Sequence, residues 1–316
     1  MISEVYNEDV FKTMKRIKDK SVNLIVCDSP YFKICGGFDW TFKTMQEWID
    51  WHILLRDEFE RIMADNGSLF VFGDEKNIAY LQVEFDRKFN LLNSLVYKKV
   101  NAQTVKGLDG FHCFAPVTER ILFYDKGENK TGLEMIKNLI ETPFAKIMKD
   151  EMLKQNITQK QISILELSKN GKPTGWVCNK LSSQELPTKE QWSKICNLFK
   201  IENYFEDLRK EYEDLRKEYE DLRRPFNNDF RLTDVIDAKV KSSFHPTTKD
   251  MAVIEKLILT TTKENDLVFS PFLGSGTDRI ACHNTKRNLI SCEIDKDYFD
   301  KANDRYETHI KQLTLF

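Results

Sequence analysis

Short apolar runs that alternate with helical segments stand at both ends of this 316-residue chain, and a stretch without strand signals separates them. We predict strands at residues 23–27, 68–72, 94–98, 120–124, 267–269 and 288–292. We predict helices at residues 44–64, 77–85, 249–261, 278–283 and near the C-terminus. Strands of this kind between helices predict an α/β fold with a parallel sheet that is covered on both faces.

The middle of the chain changes character at residue 143. There, helices are predicted at residues 144–154, 159–167, 175–181 and 189–199. The heptad at 210–216 is then repeated without change at 217–223, and 203–209 is a degenerate first copy. We therefore predict four segments, which are a first α/β half at 1–142, a helical insert at 143–202, a heptad-repeat helix at 203–224 and a second α/β half at 225–316.

The overall charge of the chain gives no general attraction to nucleic acid, because the net charge is −2. A local basic patch is nevertheless present in the insert. Residues 146–200 contain ten lysines, no arginine and five acidic residues, which leaves a net charge of about +5. This patch favours DNA binding by the insert, and a lysine-rich solvated surface is the alternative.

The seven cysteines are scattered along the chain, at Cys27, Cys35, Cys113, Cys178, Cys196, Cys282 and Cys292. They form no Cys-x-x-Cys pair and have no neighbouring set of histidine ligands, so we expect neither a disulfide framework nor a metal site. The apolar runs are strand-length, and the N-terminus lacks the charged-then-apolar pattern of a secretory signal. We therefore expect no membrane association and a cytoplasmic location.

One polar tetrapeptide, Asp28-Ser29-Pro30-Tyr31, follows the first predicted strand. Ligands of open α/β sheets bind at the carboxyl ends of strands, so this position favours a functional site. Asp28 offers a carboxylate as hydrogen-bond acceptor, and the Ser29 carbonyl offers a second acceptor. Tyr31 offers a ring on which a base can stack. Taken alone, the tetrapeptide is also a common turn in which Asp caps and Pro opens a helix.

A glycine-rich segment, residues 270–277 (Ser-Pro-Phe-Leu-Gly-Ser-Gly-Thr), follows a strand of the second half. Its glycines let the backbone approach a ligand closely, and the next helix places amides beside that ligand. About twenty residues after the first glycine, Glu293 ends the next strand, where an acidic side chain binds ribose hydroxyls. A nicotinamide or flavin enzyme uses similar geometry, but the third glycine of the dinucleotide fingerprint is missing.

Together these segments resemble the amino-methylating (N6-adenine or N4-cytosine) DNA methyltransferases of the permuted beta type, in which a catalytic tetrad precedes the loop that binds S-adenosylmethionine (AdoMet). Residues 28–31 match the family's Asp-Pro-Pro-Tyr, and residues 270–277 match its Asp-Pro-Phe-x-Gly-Ser-Gly-Thr. Residues 245–249 match a His-Pro-Thr-x-Lys segment, and residues 288–293 match a strand that ends in Glu. Asp9 stands where the family has an Asp near the adenine of AdoMet.

The resemblance implies a Rossmann-like methyltransferase sheet with permuted motif order, an inserted helical domain and AdoMet as the cofactor. It implies that Asp28, Ser29, Pro30 and Tyr31 are catalytic. The residues that it implies for cofactor binding are Asp9, His245, Thr247, Lys249, Ser270, Phe272, Gly274, Ser275, Gly276, Thr277 and Glu293. The first α/β half is then the catalytic half, and the second is the AdoMet-binding half.

Two positions leave the family pattern. Ser29 replaces a proline, which frees the backbone whose carbonyl should accept a hydrogen bond. Ser270 replaces the aspartate that begins the AdoMet loop, which removes a charge from the cofactor pocket and should weaken AdoMet binding. A catalytically inactive relative that retains DNA binding is therefore an alternative.

The implied reaction transfers a methyl group to an exocyclic amino group of a base in a specific duplex sequence. Such an amino group is a poor nucleophile because its lone pair is delocalised into the ring, and acceptors on its N–H groups localise that lone pair. The base must be flipped out of the duplex, and Tyr31 then offers a stacking platform. Adenine N6 is favoured because the tetrad begins with Asp28. Cytosine N4, and amino groups of RNA or protein, are alternatives.

The insert resembles the helix-turn-helix of phage-repressor domains through residues 156–162, 174–179 and 186–192. In such domains, the first residues of the second and third helices face phosphates and base edges of double-stranded DNA. The DNA contacts that this implies are Gln159, Lys160, Lys172, Thr174, Asn179 and Lys180. The alternative is a lid-like insert with a core of Trp176, Trp192 and Leu198.

The heptad repeat places its apolar residues on one seam between acidic and basic positions. The seam residues are Phe205, Leu208, Tyr212, Leu215, Tyr219 and Leu222. This pattern suits a homodimer of paired helices, although about three heptads is the lower limit for a coiled coil. The alternative is that the seam packs on its own catalytic domain. A cognate restriction endonuclease, as in a restriction-modification system of a bacterium or phage-infected cell, is a further candidate partner.

Overall fold

The structure is a computed structural model that describes residues 2–34, 37–100, 114, 116–127, 141–166, 171–172, 175–182, 185–239 and 243–313. The chain divides into two compact units. Met1–Glu128 and Arg224–Phe316 form the first, which we call the sheet unit, and Asn129–Arg223 forms the second, which we call the helical unit. The predicted insert and the heptad helix therefore fall in one unit.

The sheet unit is built on one mixed sheet. Its described strands are β1 Ser3–Tyr6, β2 Val22–Cys27, β3 Met63–Asp74, β4 Asn90–Lys99, β5 Thr118–Asp125, β6 Val235–Ala238, β7 Leu267–Ser270 and β8 Asn288–Cys292. Their order across the sheet is β1-β8-β7-β2-β3-β5-β4-β6. Strands β7 and β8, from the end of the sequence, lie between β1 and β2, so the two α/β halves complete a single sheet.

Strand β5 runs antiparallel to both of its neighbours, β3 and β4, whereas the other described strand pairs are parallel. The expectation of a parallel sheet was therefore wrong for this strand. Parallel neighbours need a crossover connection, usually a helix, whereas antiparallel neighbours do not. The sequence carries no helix signal between the strands predicted at 94–98 and 120–124, and this was the clue to the reversal.

Helices cover both faces of the sheet, as predicted. The described helices of the whole chain are α1 Val10–Met14, α2 Met45–Ile62, α3 Ile78–Phe85, α4 Pro143–Gln155, α5 Gln159–Ser163, α6 Trp176–Leu181, α7 Lys189–Phe199, α8 Phe205–Leu222, α9 Met251–Thr261, α10 Thr277–Asn284 and α11 Lys296–Leu313. Because side chains alternate along a strand, Ile25 of β2 packs in a cluster with α2, and Leu24 packs in a second cluster with α9.

Helix α2 is positioned by its own sequence. Thr44 caps it, and the Glu47 side chain completes a capping box, so the first turn begins at Met45. Trp48, His52, Leu55 and Phe59 recur at helical spacing and are all buried. This face packs on the sheet and places Trp48 and His52 beneath the loop that follows β2.

Strands β1 and β6 were not predicted. They are the two edges of the sheet, and each is short and only partly buried. Edge strands are often short and carry polar residues, as Ser3 and Glu4 do in β1, so they lack the apolar run by which central strands are recognised. The residues that form them are therefore hard to distinguish from loops in the sequence.

The helical unit has a hydrophobic core of its own. The core residues are Phe144, Met148, Ile162, Val177, Trp192, Ile195, Cys196, Phe199, Phe205 and Leu208. Phe205 and Leu208 begin the heptad helix α8, and the Phe205 ring lies 5.4 Å from that of Phe144. The first turn of α8 therefore packs within its own unit. Helix α5 is shorter than the predicted helix at 159–167.

No helix in the described part of the chain is long and apolar enough to span a membrane. Over the same described residues, no group of three or more His, Cys, Asp or Glu side chains is arranged to hold a metal ion.

Candidate active site

A cavity of about 680 Å³ lies at the carboxyl ends of β2, β7 and β8. Asp28, Pro271 and Glu293 are the residues that directly follow these strands, and all three line the cavity. The carboxyl ends of parallel strands meet at one edge of a sheet. Segments that are far apart in the sequence are therefore brought together around one space.

The predicted catalytic tetrad forms one wall of the cavity, and all four of its residues line it. The Tyr31 hydroxyl donates to one Asp28 carboxylate oxygen at 2.9 Å, and Lys249 Nζ lies 2.8 Å from the other. The same hydroxyl is 3.3 Å from the Glu119 carboxylate. Burial and then the charges of Asp28 and Glu119 raise the pKa of Tyr31, so its hydroxyl stays a donor.

Lys249 is a buried cation between two carboxylates. Its Nζ lies 2.8 Å from Asp28 and 3.2 Å from Glu119, and Lys99 Nζ approaches Glu119 at 2.5 Å. Burial opposes protonation of Lys249, but Asp28 and Glu119 overcome it and raise the pKa of Lys249. Burial likewise opposes ionisation of Glu119, but Lys249 and Lys99 overcome it and lower its pKa. Two ammonium groups therefore compensate two carboxylates beside the tetrad.

Helix α2 holds the tetrad loop in place through hydrogen bonds. The Ser29 hydroxyl is 2.8 Å from His52 Nε2, and His52 Nδ1 is 2.8 Å from the Trp48 carbonyl. Burial lowers the pKa of His52 to about 4, so the ring is neutral near pH 7. A carbonyl can only accept, so Nδ1 carries the proton, Nε2 accepts, and the Ser29 hydroxyl donates. This contact holds the serine that replaces proline.

Two further hydrogen bonds hold the tetrad loop. Trp48 Nε1 donates to the Pro30 carbonyl at 2.9 Å. The Tyr31 amide donates to the buried Asp39 carboxylate at 2.6 Å. The loop is therefore anchored at Ser29, Pro30 and Tyr31, which leaves Asp28 presented to the cavity on a fixed backbone.

The glycine-rich loop forms another part of the cavity wall. Gly274 has φ +48°, and its amide donates to the Glu293 carboxylate at 2.9 Å. A Cβ at Gly274 would lie 3.3 Å from the His245 ring, so the close approach adds to the left-handed backbone in requiring glycine. Burial raises the pKa of Glu293 and lowers that of His245. Glu293 therefore both fixes the loop and lines the cavity.

The side chains of Ser270 and Asp278 are in contact next to this loop. The Ser270 hydroxyl donates to Asp278 Oδ2 at 2.6 Å. Ser270 is fully buried and does not line the cavity, whereas Asp278, in the first turn of α10, does. Burial is the main cause that raises the pKa of Asp278 to about 6, and Asp28 adds to it. An acid therefore does face this part of the cavity, but from the helix instead of the strand.

Comparison with known proteins agrees with this geometry. The sequence matches the family model N6_N4_Mtase, described as DNA methylase, over residues 22–304. The chain belongs to this family. The methylase is 23% identical over 308 residues to the Type II methyltransferase M1.MboII of Moraxella bovis, which covers 96% of this chain and 95% of the relative. It is 22% identical over 296 residues to the DNA adenine methyltransferase YhdJ of Escherichia coli, with 93% and 79% covered.

Solved structures share the fold of the methylase. The crystal structure of an M1.HpyAVI–SAM complex superposes with a TM-score of 0.51 at 20% sequence identity. The superposition covers 96% of this chain and 100% of that chain. The methylase is thus an α/β DNA methyltransferase, and its family includes enzymes of both the N6 and the N4 type.

The cavity of the methylase collects most of the predicted site. Besides the tetrad, the predicted cofactor residues on its lining are Asp9, His245, Thr247, Lys249, Phe272, Gly274, Ser275, Thr277 and Glu293. Ser270 and Gly276 are the two predicted members that do not line it. Gly276 has φ +74°, and its amide closes the loop on the Leu273 carbonyl, so it shapes the loop from behind.

Several site residues of the methylase were missed in the sequence. Glu119 and Lys99 lie at ends of neighbouring strands β5 and β4, and His52 lies on the buried face of α2. A charged or polar residue at a position whose neighbours are buried was the available signal. Asp278 was missed because an acid in the first turn of a helix is ordinarily explained by the helix dipole.

The helical unit of the methylase carries the predicted DNA contacts. Gln159, Lys160 and Lys172 are exposed and Asn179 is partly exposed, whereas Thr174 lies outside the described residues. Lys180 is buried, and its Nζ lies 2.7 Å from the Glu185 carboxylate. The prediction of a DNA contact by Lys180 is therefore wrong, because helical spacing alone did not show that this lysine points into the unit.

Proposed function

We propose that this methylase is an AdoMet-dependent enzyme that methylates the exocyclic amino group of a flipped base in a specific duplex DNA sequence, adenine N6 in preference to cytosine N4. The observation that carries this is one cavity that both the Asp28 tetrad and the Gly274 loop line. Its volume, about 680 Å³, is within the range of small-molecule pockets. The name of the Escherichia coli relative supports adenine as the base.

The residues on the cavity fit AdoMet. The left-handed Gly274 and the close His245 ring leave a backbone cradle that a Cβ would fill. Glu293, which ends β8, is placed to accept from ribose hydroxyls, and Asp9 lies on the same cavity near the nucleoside. When bound, AdoMet supplies an electrophilic methyl group on a sulfonium.

The tetrad prepares the amino group of the base. Asp28 keeps free lone pairs besides those that accept from Tyr31 and Lys249, so it can accept from one N–H of the base. The Ser29 carbonyl accepts from the second N–H, which localises the nitrogen lone pair. Tyr31 lines the same cavity, and its ring is the platform on which the flipped base stacks.

Nucleoside analysis of methylated DNA tests the reaction and the base together. Purified protein is incubated with labelled AdoMet and mixed-sequence duplex DNA, and the digested nucleosides are separated by mass spectrometry. We expect N6-methyladenine from the wild type and none from Asp28→Ala. Label in N4-methylcytosine would replace adenine by cytosine in the proposal. No label in DNA would favour the inactive relative.

We also propose that the helical unit reads the target site through Gln159, Lys160, Lys172 and Asn179, with Thr174 beside them in the sequence. Support comes from their exposure and from the capping box at Thr158, which starts α5 one residue before Gln159. Replacement of Gln159, Lys160 and Asn179 by Ala should weaken DNA binding and relax site choice. The matched control replaces Lys149 and Lys154 of α4, which pair with acids and should matter little.

Two partners remain as proposals. A homodimer would use the later seam residues of α8, Tyr212 and Leu215, because Phe205 and Leu208 are committed to the core of the helical unit. Light scattering of the wild type and of Leu215→Glu tests the homodimer, and a monomeric wild type would contradict it.

A restriction endonuclease partner and action in the bacterial cytoplasm are proposals that rest on the Type II name of the Moraxella bovis relative.

A further inference from the structure

Asp278 is a buried carboxylate of the cavity that the tetrad does not use. Asp278 is 9% exposed, stands in the first turn of α10 and lines the cavity. One carboxylate oxygen accepts from the Ser270 hydroxyl at 2.6 Å. Over the described residues, no side chain or amide donates to the other oxygen, and no Lys or Arg lies within ion-pair distance.

The cations nearest to Asp278 are occupied elsewhere. Lys249 pairs with Asp28 and Glu119. Arg305 donates to the Ser275 carbonyl and to the Thr277 hydroxyl. Asp28 faces Asp278 with a like charge, and together with burial it outweighs the favourable effects of the Ser270 hydroxyl, Lys249 and Arg305, so that the pKa of Asp278 rises to about 6. Among the residues that the structure describes, the buried carboxylate of Asp278 thus has no ion-paired cation.

The rest of the cavity also has an excess of negative charge. Its carboxylates are Glu8, Asp9, Asp28, Asp39, Asp278, Glu293 and Asp295, of which Glu8 pairs with Lys12 and Arg16 outside the lining. Lys249 is the single Lys or Arg among the described lining residues. A buried charge is stable only when it is paired, so a cavity of this composition favours a cationic ligand.

The two ends of the cavity differ in what they can bind. Glu293 and Asp9 lie at the end assigned to the neutral nucleoside. Asp28, which holds the reacting amino group, has a charge that raises the pKa of Asp278. The methionine end of AdoMet carries two cations, the sulfonium and the α-ammonium, and one α-carboxylate, and its methyl group has to point toward Asp28 for transfer. Asp278 lines the same cavity as Asp28 and is affected by its charge, which favours a place for Asp278 near these cations.

We infer that Asp278 binds the positive charge at the methionine end of AdoMet and supplies the carboxylate that Ser270 lacks. This inference rests on the proposed cofactor. The alternative is a helix-terminal acid that serves only the dipole of α10. Such an acid has no need to line a cavity, whereas Asp278 is buried and lines the cavity, and its hydrogen bond comes from the strand β7.

Calorimetric titration of the full-length protein with three ligands tests the inference. We expect D278N to raise the Kd of AdoMet about ten- to a hundredfold, the effect of losing a charged hydrogen bond. An equal loss for S-adenosylhomocysteine would place Asp278 on the α-ammonium, and a smaller loss would place it on the sulfonium. Binding of 5′-methylthioadenosine, which has neither cation, should not change.

Two further variants keep the test decisive. D266N removes a half-buried acid at the opposite end of β7 and should leave all three affinities unchanged. S270D/D278S exchanges the two hydrogen-bonded side chains, so that the carboxylate stands on the strand as in the family pattern, and it should restore part of the affinity.

Each result bears on a separate claim. Unchanged AdoMet affinity in folded D278N overturns the inference, and so does an equal loss for 5′-methylthioadenosine or a folded S270D/D278S that binds no better than D278N. A wild type that does not bind AdoMet overturns the proposed function instead.

Discussion

Two carboxylates line one cavity of this methylase, and they differ in what surrounds them. Asp28 has a buried ammonium 2.8 Å away, and its proposed role is to accept a hydrogen bond from a neutral amino group. Asp278 has a serine hydroxyl at 2.6 Å and, within the described part of the chain, no ion-paired cation. A compensated carboxylate can stay ionised without a ligand, whereas an uncompensated one is destabilised until a cation arrives. The protein thus balances the charge of Asp28 with its own lysine, whereas we propose that the cofactor balances the charge of Asp278.

The largest effect should follow from removing the compensating cation. Lys249→Met leaves Asp28 and Glu119 buried with one ammonium instead of two, which should cost about 3–5 kcal/mol of unfolding free energy. Urea unfolding measures it. Lys286→Met is the control, because its pair with Glu264 is exposed and should contribute less than about 1 kcal/mol. Equal losses in both variants would show that the catalytic end is not charge-balanced by Lys249.

Loss of the catalytic acceptor should separate chemistry from cofactor binding. Asp28→Asn should lower kcat by about a hundred- to thousandfold, since one acceptor of the amino group becomes a weaker amide oxygen. The AdoMet affinity should change far less than in Asp278→Asn, because Asp28 is already paired with Lys249. Methyl-transfer rates and calorimetry give both numbers. A variant that loses AdoMet binding but keeps its kcat would reverse the roles of the two carboxylates.

Asp278→Asn should stabilise the protein in the absence of ligand, in a pH-dependent way. The folded-state pKa of Asp278, about 6, lies above its ordinary value of 3.8, so the folded state holds the proton more tightly. Wild-type stability therefore falls, relative to the variant, as the pH rises from about 4 to about 6, and the gap stays constant above that. It reaches at most about 3 kcal/mol. Unfolding at pH 4 and pH 8 should show it; a gap that is absent at pH 8 contradicts the uncompensated charge.

The smallest effect should follow from removing the Ser29 hydroxyl, which holds the tetrad loop on α2. Ser29→Ala removes the hydroxyl that donates to His52 and leaves a buried acceptor unpaired, which should cost about 1 kcal/mol. We expect kcat to fall several-fold and the KM for AdoMet to stay unchanged, because the cofactor wall is untouched. Ser29→Pro also lacks the hydroxyl, but it fixes the backbone as in the family pattern, so it should recover kcat without recovering the lost stability. A larger change in KM than in kcat would mean that Ser29 serves the cofactor end.

Much of the fold and the site could be predicted from the sequence because the informative residues are contiguous. Asp28 to Tyr31 and the loop around Gly274 each follow a buried strand, and that alone places them at one edge of the sheet. The same reasoning located most helices to within a few residues. It could not locate β1 and β6, whose edge positions leave no apolar run, or the reversed direction of β5.

The electrostatic partners could not be predicted, because each comes from a different element. Glu119 and Lys99 lie on strands and His52 on a helix, and nothing local shows that they meet the tetrad. The change from the family's Asp to Ser270 predicted a lost charge in the cofactor pocket, but Ser270 does not line the cavity. The sequence could not show that Asp278 stands next to it, because Asp278 lies eight positions later on α10 and only the folded chain brings the two together.

Proton release on AdoMet binding tests the contrast between the two carboxylates most directly. Calorimetry at pH 6 in buffers of different ionisation enthalpy counts the protons that leave the protein. About half of the Asp278 side chains hold a proton at that pH, so the wild type should release about half a proton more than Asp278→Asn. Equal proton release by the two proteins, with AdoMet bound to both, would contradict the account, because Asp278 would then not be ionised by the cation that it is said to bind.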